Sequence, residues 1–216
     1  VSSSTSKCGY YYHPLGDLAK AFVDGSASSS EFPHTYDDNG DHAHGVGNLD
    51  WGSGSSIPQL SPVYSMTDGT IYTVYTSHGD GGRGVGIYIK TDRLDGAGKP
   101  ICIHYIELSG VSDRLAQILG CEAGPHTESE FASFNVSSSE PISVKMGELI
   151  GYTNDWYLDY SNMHTDFTYE GVGDNNSTDI PAYIEASPHV KNIEQLNKKF
   201  SVEKTGQSIP EYIVKC

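Results

Sequence analysis

Hydrophobic and polar positions alternate with a period of two through most of the stretch from about Asp41 to Gly171, in short runs separated by glycine. That period belongs to strands with one face buried and one face solvated. The predicted strands are PVYSM (62–66), GTIYTVYTS (69–77), GVGIYIKTD (84–92), PICIHYIEL (100–108), PISVK (141–145), ELIGYT (148–153) and HTDFTYE (164–170). DGGRG (80–84) reads as a hairpin turn between the second and third of them. SDRLAQILG (112–120) reads instead as one short helix inserted after a strand, with Ser112 placed to cap it. Outside this stretch the period weakens. PLGDLAKAFV (14–23) and VKNIEQLNKKF (190–200) are predicted helices, SASSSEF (26–32) a linker, and SIPEYIVKC (208–216) an edge strand. The expected organisation is an N-terminal extension over 1–40, a β domain over 41–172 and a C-terminal extension over 173–216 packed on the core.

Composition narrows the partners. The chain has 216 residues, 37% of them hydrophobic and 19% charged, with 24 glycines and 15 tyrosines, a mixture suited to strands and turns. A formal net charge of −15 makes nucleic acid and anionic membrane surfaces poor partners. No apolar run is long enough to span a bilayer, so no transmembrane segment is expected. The chain starts VSSSTSKC without a basic and apolar leader and reads as a trimmed, exported segment. Four cysteines, Cys8, Cys102, Cys121 and Cys216, allow three pairings. The expected disulfides are Cys102–Cys121, worth about 3 kcal/mol by loop closure, and Cys8–Cys216. Four thiols in a reducing compartment are the alternative.

Candidate chemistry centres on SNMHTDFTYEG (161–171), where His164, Asp166 and Thr168 share one strand face. HAHGVGNLDWG (42–52) adds His42, His44 and Asp50, and IHYIELSG (103–110) adds His104 and Glu107. His104 alternates away from Glu107 and reads as a packed or rim residue. The glycines near His78 lie in a hairpin rather than at a helix start, which disfavours a phosphate loop. Tyr10, Tyr11 and Tyr12 fit either sugar stacking or a core edge.

In their order along the chain, HAHGVGNLDWG, VYSMTDGTIYTV, IHYIELSG, VKMGELIGYTND and MHTDFTYEG resemble the LytM-like zinc metallopeptidases of the M23 family. The VYSMTDGTIYTV and VKMGELIGYT pieces resemble lipoyl and hybrid-motif domains as well, so the site motifs are the specific part. The resemblance implies a mainly β fold, an antiparallel two-sheet sandwich or flattened half-barrel of the duplicated hybrid motif type, with short helices in the extensions. It implies an exported endopeptidase acting on bacterial cell-wall peptide, or another extended peptide, laid in a groove. The metal ligands it implies are His44, Asp50 and Asp166, with His42 competing for the first position, and the catalytic residues are Glu107 and His164. The implied cofactor is zinc; manganese, calcium or no metal stay open. Two positions depart from the family pattern. Glu107 stands where Tyr-x-His has its histidine, and Asp166 stands where His-x-His has its second. The alternative reading is therefore an inactive domain of the same type, serving as a peptide, glycan or protein binding module or as a structural surface domain.

Overall fold

The computed structural model describes residues 11–12, 14–16, 48–51, 58–79, 82–94, 100–156, 163–169 and 184–185. The elements in order are β1 (Tyr11–Tyr12), β2 (Asn48–Trp51), β3 (Pro62–Tyr64), β4 (Gly69–Ser77), β5 (Gly84–Leu94), β6 (Pro100–Leu108) and β7 (Gly110–Val111). Helices α1 (Asp113–Leu119) and α2 (Glu128–Phe131) follow, then β8 (Ser137–Ser138), β9 (Ile142–Val144), β10 (Leu149–Tyr152), β11 (Met163–Tyr169) and β12 (Ile184–Glu185).

Two antiparallel sheets make the body. The larger has seven strands in the order β2-β11-β6-β5-β4-β8, with β9 also paired to β4. The smaller has three, β3-β10-β7. A two-residue parallel pair joins β1 to β12. The fold is mainly antiparallel β with few helices, as the period-two pattern predicts.

The core lies between the two sheets. Ile71, Val74, Val85, Ile87, Ile89, Ile103, Tyr105 and Leu108 enter it from the large sheet; Val63, Val111 and Ile150 enter from the small one. Leu115 and Ala116 of α1 and Phe131 of α2 close its sides. Burying a side chain of the Val, Leu, Ile or Phe class contributes about 1.5–3 kcal/mol, so these rows decide which face of each strand turns inward. The alternation is not uniform. Ile71 and Val74 are the buried residues of β4, three apart, because the pairing with β5 slips between Ile71 and Thr73. Tyr105 is fully buried, and its hydroxyl accepts the Met66 backbone N–H at 2.7 Å, which satisfies the polar end of its ring.

α1 begins, as predicted, at Ser112, whose hydroxyl accepts the Leu115 N–H at 3.4 Å, and it ends at left-handed Gly120. α2, β2, β7 and β8 were not predicted as elements; β2 is the NLDW run that precedes the predicted strands. Of the predicted helix 14–23, only 14–16 are described; Leu15 is buried in the core. The predicted helix 190–200, the edge strand 208–216, His42, His44, Cys8 and Cys216 lie outside the described residues. No helix among the described residues is long and apolar enough to cross a membrane.

The expected Cys102–Cys121 disulfide is a correction: no bond joins these two residues. The reason is the sheet between them. Cys102 pairs with Lys90 and Thr168, in a row alternating with the core row Ile89–Ile103, and so belongs to the outer face. Cys121 follows α1 and packs against the core on the inner side. Burial raises the Cys121 thiol above its usual range, with the Glu122 charge adding to it. Cys121 should therefore alkylate at pH 8 more slowly than a thiol in a short unfolded peptide. Non-reducing peptide mapping that recovers Cys102 linked to Cys121 would overturn this placement.

Candidate active site

The site candidates fall on three neighbouring strands of the large sheet, β2, β11 and β6. In the ladder between β2 and β11, His164 stands opposite Asp50 and Asp166 opposite Asn48. In the ladder between β11 and β6, His164 stands opposite Ile106 and Asp166 opposite His104. Directly paired residues of antiparallel strands share a face, with Cβ atoms about 4.5–5.5 Å apart, and diagonal pairs are about 7–8 Å apart. Asp50, His164 and Asp166 thus occupy one patch of backbone positions, on the face away from the rows of Ile103 and Tyr105. Motif segments more than a hundred residues apart in the chain are brought side by side. Among the described residues, no group of three or more His, Cys, Asp or Glu is arranged to hold a metal ion; His44 and the side chains of Asp50, His164 and Asp166 lie outside them.

Glu107 sits at the edge of this patch in a special conformation. Val85 pairs with Leu108 and Ile87 with Tyr105, so Gly86 alone faces both Ile106 and Glu107. This is a β-bulge, which bends a strand and re-aims the residue it carries. Glu107 adopts φ 66°, in the left-handed region that a residue with a Cβ enters at a cost of order 1–3 kcal/mol. It is only 6% exposed. Three contacts hold the segment there. The Asn154 side-chain N–H donates to the Glu107 carbonyl at 2.9 Å. The Ser109 hydroxyl donates to the Thr153 carbonyl at 2.7 Å. The backbone of Gly84 lies directly beneath, where an added Cβ would come within 2.4 Å of Glu107 Cα. The bulge also explains why strand alternation cannot relate Glu107 to His104, since the phase is broken between them.

That contact predicts the effect of Gly84→Ala. Gly84 has φ 148° and no room for a methyl group, so substitution should destabilise by roughly 1–3 kcal/mol and shift the Glu107 backbone. Gly79→Ala, where the nearest atom would be 4.0 Å away, should be close to neutral. Urea denaturation of the two variants checks both outcomes.

Beside the patch lies an aromatic group around His104, the residue expected to be packed or at the rim. His104 is fully buried. Its ring stacks on Tyr88, with centroids 3.6 Å apart and planes 7° apart, and its Nε2 lies 2.8 Å from the Tyr75 hydroxyl. Tyr75 also covers Gly86, where a Cβ would lie 2.1 Å from its ring. The signal for this group is cross-strand register, which one strand read alone does not carry. Asn154 was missed for a similar reason: it lies 47 residues from the carbonyl it supports.

Two solved structures of lysostaphin are similar to this chain. The solution structure of lysostaphin aligns with 70% of this chain and 46% of its own, at 16% identity and a TM-score of 0.41. The structure of the antimicrobial peptidase lysostaphin from Staphylococcus simulans aligns with 62% of this chain and 41% of its own, at 16% identity and a TM-score of 0.37. The chain therefore spans less than half the length of the lysostaphin chains it matches. No family model matches the sequence, and no curated protein matches it.

Proposed function

We propose that this chain is an exported, metal-dependent endopeptidase-like domain acting on bacterial cell-wall peptide, with a site altered from the family pattern it resembles. One observation carries the reading: the ladders set Asp50 opposite His164 and Asp166 two positions along, beside the strand that bears Glu107. The motif order supplies the roles. His44, Asp50 and Asp166 would hold the ion, a set of one nitrogen and two carboxylates that suits zinc and loosens its preference over manganese or calcium. When bound, the ion would polarise the scissile carbonyl and acidify a water molecule, less strongly than with two imidazoles because two carboxylates neutralise its charge.

The remaining steps belong to the chain. An extended peptide lies along the patch, its scissile carbonyl near His164. Glu107 takes a proton from the attacking water as the new C–O bond forms, a task for which a carboxylate close to a cation is competent, and returns it to the leaving amine as the C–N bond breaks. The imidazole of His164 donates to the oxygen on which charge develops. Glu107 in the place of an imidazole removes a donor and adds negative charge near that oxygen, so turnover should be slow. The test is release of new amino groups from purified cell wall, with zinc, with manganese and with chelator. Slow, metal-dependent release is expected. Release unaffected by chelator would sink the metal assignment, and none under any condition would sink the peptidase reading.

A further inference from the structure

We infer that Trp156 is a positioning residue for Glu107, acting on it through the hairpin turn that leads into β5. Its indole N–H donates to the Arg83 carbonyl at 3.0 Å. That oxygen belongs to the peptide unit joining Arg83 to Gly84, which is planar and rotates as one piece. Holding the oxygen therefore fixes the rotation that sets φ at Gly84. Gly82 and Gly84, on either side of Arg83, have φ 117° and 148°, and without a Cβ neither restrains its own backbone. The restraint comes from outside the turn. Trp156 holds the Arg83 main chain, and its ring lies 5.0 Å from the Arg83 guanidinium. Glu128 holds the side chain from α2, accepting from Nη1 at 2.7 Å with its carboxylate and from Nη2 at 3.1 Å with its backbone carbonyl.

The turn so fixed lies against the bulge. A Cβ built on Gly84 would come within 2.4 Å of Glu107 Cα, 2.6 Å of its carbonyl carbon and 2.9 Å of the Leu108 nitrogen. Gly84 is thus in close contact with the whole peptide unit that follows Glu107. Asn154 donates to the carbonyl oxygen of that same unit at 2.9 Å. Asn154 and Trp156 stand two apart on one segment, and Thr153 anchors it. The Thr153 N–H donates to the Ser61 carbonyl at 2.8 Å, and its hydroxyl accepts the Ser61 N–H at 2.9 Å. One anchored segment therefore grips the Glu107 peptide at two points, directly through Asn154 and by way of Gly84 through Trp156. A left-handed residue with a Cβ persists only where its surroundings over-determine it, and this grip supplies that condition. The catalytic consequence rests on the role of Glu107 proposed above; the restraint on its backbone does not.

The experiment compares Trp156→Phe, which keeps an aromatic ring and removes the N–H, with Ile142→Val, a core change in β9 where Ile142 pairs with Ile71. Both are read by NMR of the whole chain and by cell-wall hydrolysis. Scalar couplings that report φ should give Glu107 a left-handed backbone in the parent. In Trp156→Phe the couplings of Glu107 and Gly84 should change, a readout that the altered ring current of the smaller aromatic leaves untouched. There kcat should fall about 10- to 100-fold with KM little changed, the scale for displacing a catalytic group by about 1 Å. Ile142→Val should lose stability with couplings and kcat unmoved. A parent Glu107 with negative φ overturns the inference and requires no variant to fold. Glu107 couplings in Trp156→Phe that match the parent overturn it as well. Unchanged kcat in a variant whose Glu107 has moved contradicts the positioning role. A parent that cleaves nothing, with Glu107 displaced in Trp156→Phe, supports the restraint and removes the peptidase reading instead.

Discussion

Glu107→Gln is expected to lower cell-wall peptide hydrolysis by about 10²–10⁴ while leaving the fold intact, the range for loss of a general base. The substitution keeps size and shape, so the bulge, the left-handed backbone and the Asn154 bond to the Glu107 carbonyl all persist. What goes is the negative charge and, with it, the ability to accept a proton. Peptide binding should change little, so the loss should fall on kcat rather than KM. The informative partner is the double substitution Glu107→His with Asp166→His, which restores the two imidazoles of the family pattern. A parent that cleaves and a Glu107→Gln variant that does not would establish a working altered site. An inert parent with cleavage gained by the double variant would show a binding domain derived from a peptidase. Hydrolysis unchanged in Glu107→Gln would remove Glu107 from the mechanism.

The largest loss of stability is expected at Phe131. This residue is fully buried in α2, its ring 4.8 Å from Trp156 and 6.0 Å from Phe134. The Arg83 guanidinium lies 5.0 Å from the Trp156 ring and 6.0 Å from that of Phe131, and the Trp156 indole N–H donates to the Arg83 carbonyl at 3.0 Å. The cluster thus ties the turn before β5 to α2 and to the segment leaving β10. Phe131→Ala should cost about 3–5 kcal/mol, a large part of the stability of an ordinary domain. The Arg83–Glu128 ion pair, 2.7 Å long, looks equally prominent but involves side chains that are 28% and 54% exposed. Solvent screens such a pair, and Glu128→Ala should cost about 1 kcal/mol or less. Urea midpoints for the two variants separate the contributions. A Phe131→Ala loss no larger than that of Glu128→Ala would show that the cluster does not anchor the fold.

The strands β4 and β6 could be read to their ends from period-two alternation, and α1 from its Ser112 cap, because these signals are local. Short β7 and β8 could not, since two residues carry no period and exist as strands only through their partners. β2 was hidden for the same reason: NLDW becomes a strand by pairing with β11. The disulfide expectation failed on a tertiary fact, that an entire sheet stands between Cys102 and the helix leading to Cys121.

The sequence by itself determined the mainly β class and the residue types available at the candidate site. These follow from hydrophobic period, turn residues and motif order, all properties of neighbours in the chain. Tertiary structure alone decided that Asp50 faces His164, that Asp166 faces His104, and that Glu107 sits on a bulge in a left-handed conformation. Register between strands is set by the total burial of both faces and by close approaches such as Gly84 beneath Glu107. Neither is a property of any single stretch, because a one-residue slip leaves each strand's own pattern unchanged while moving every side chain to the opposite face.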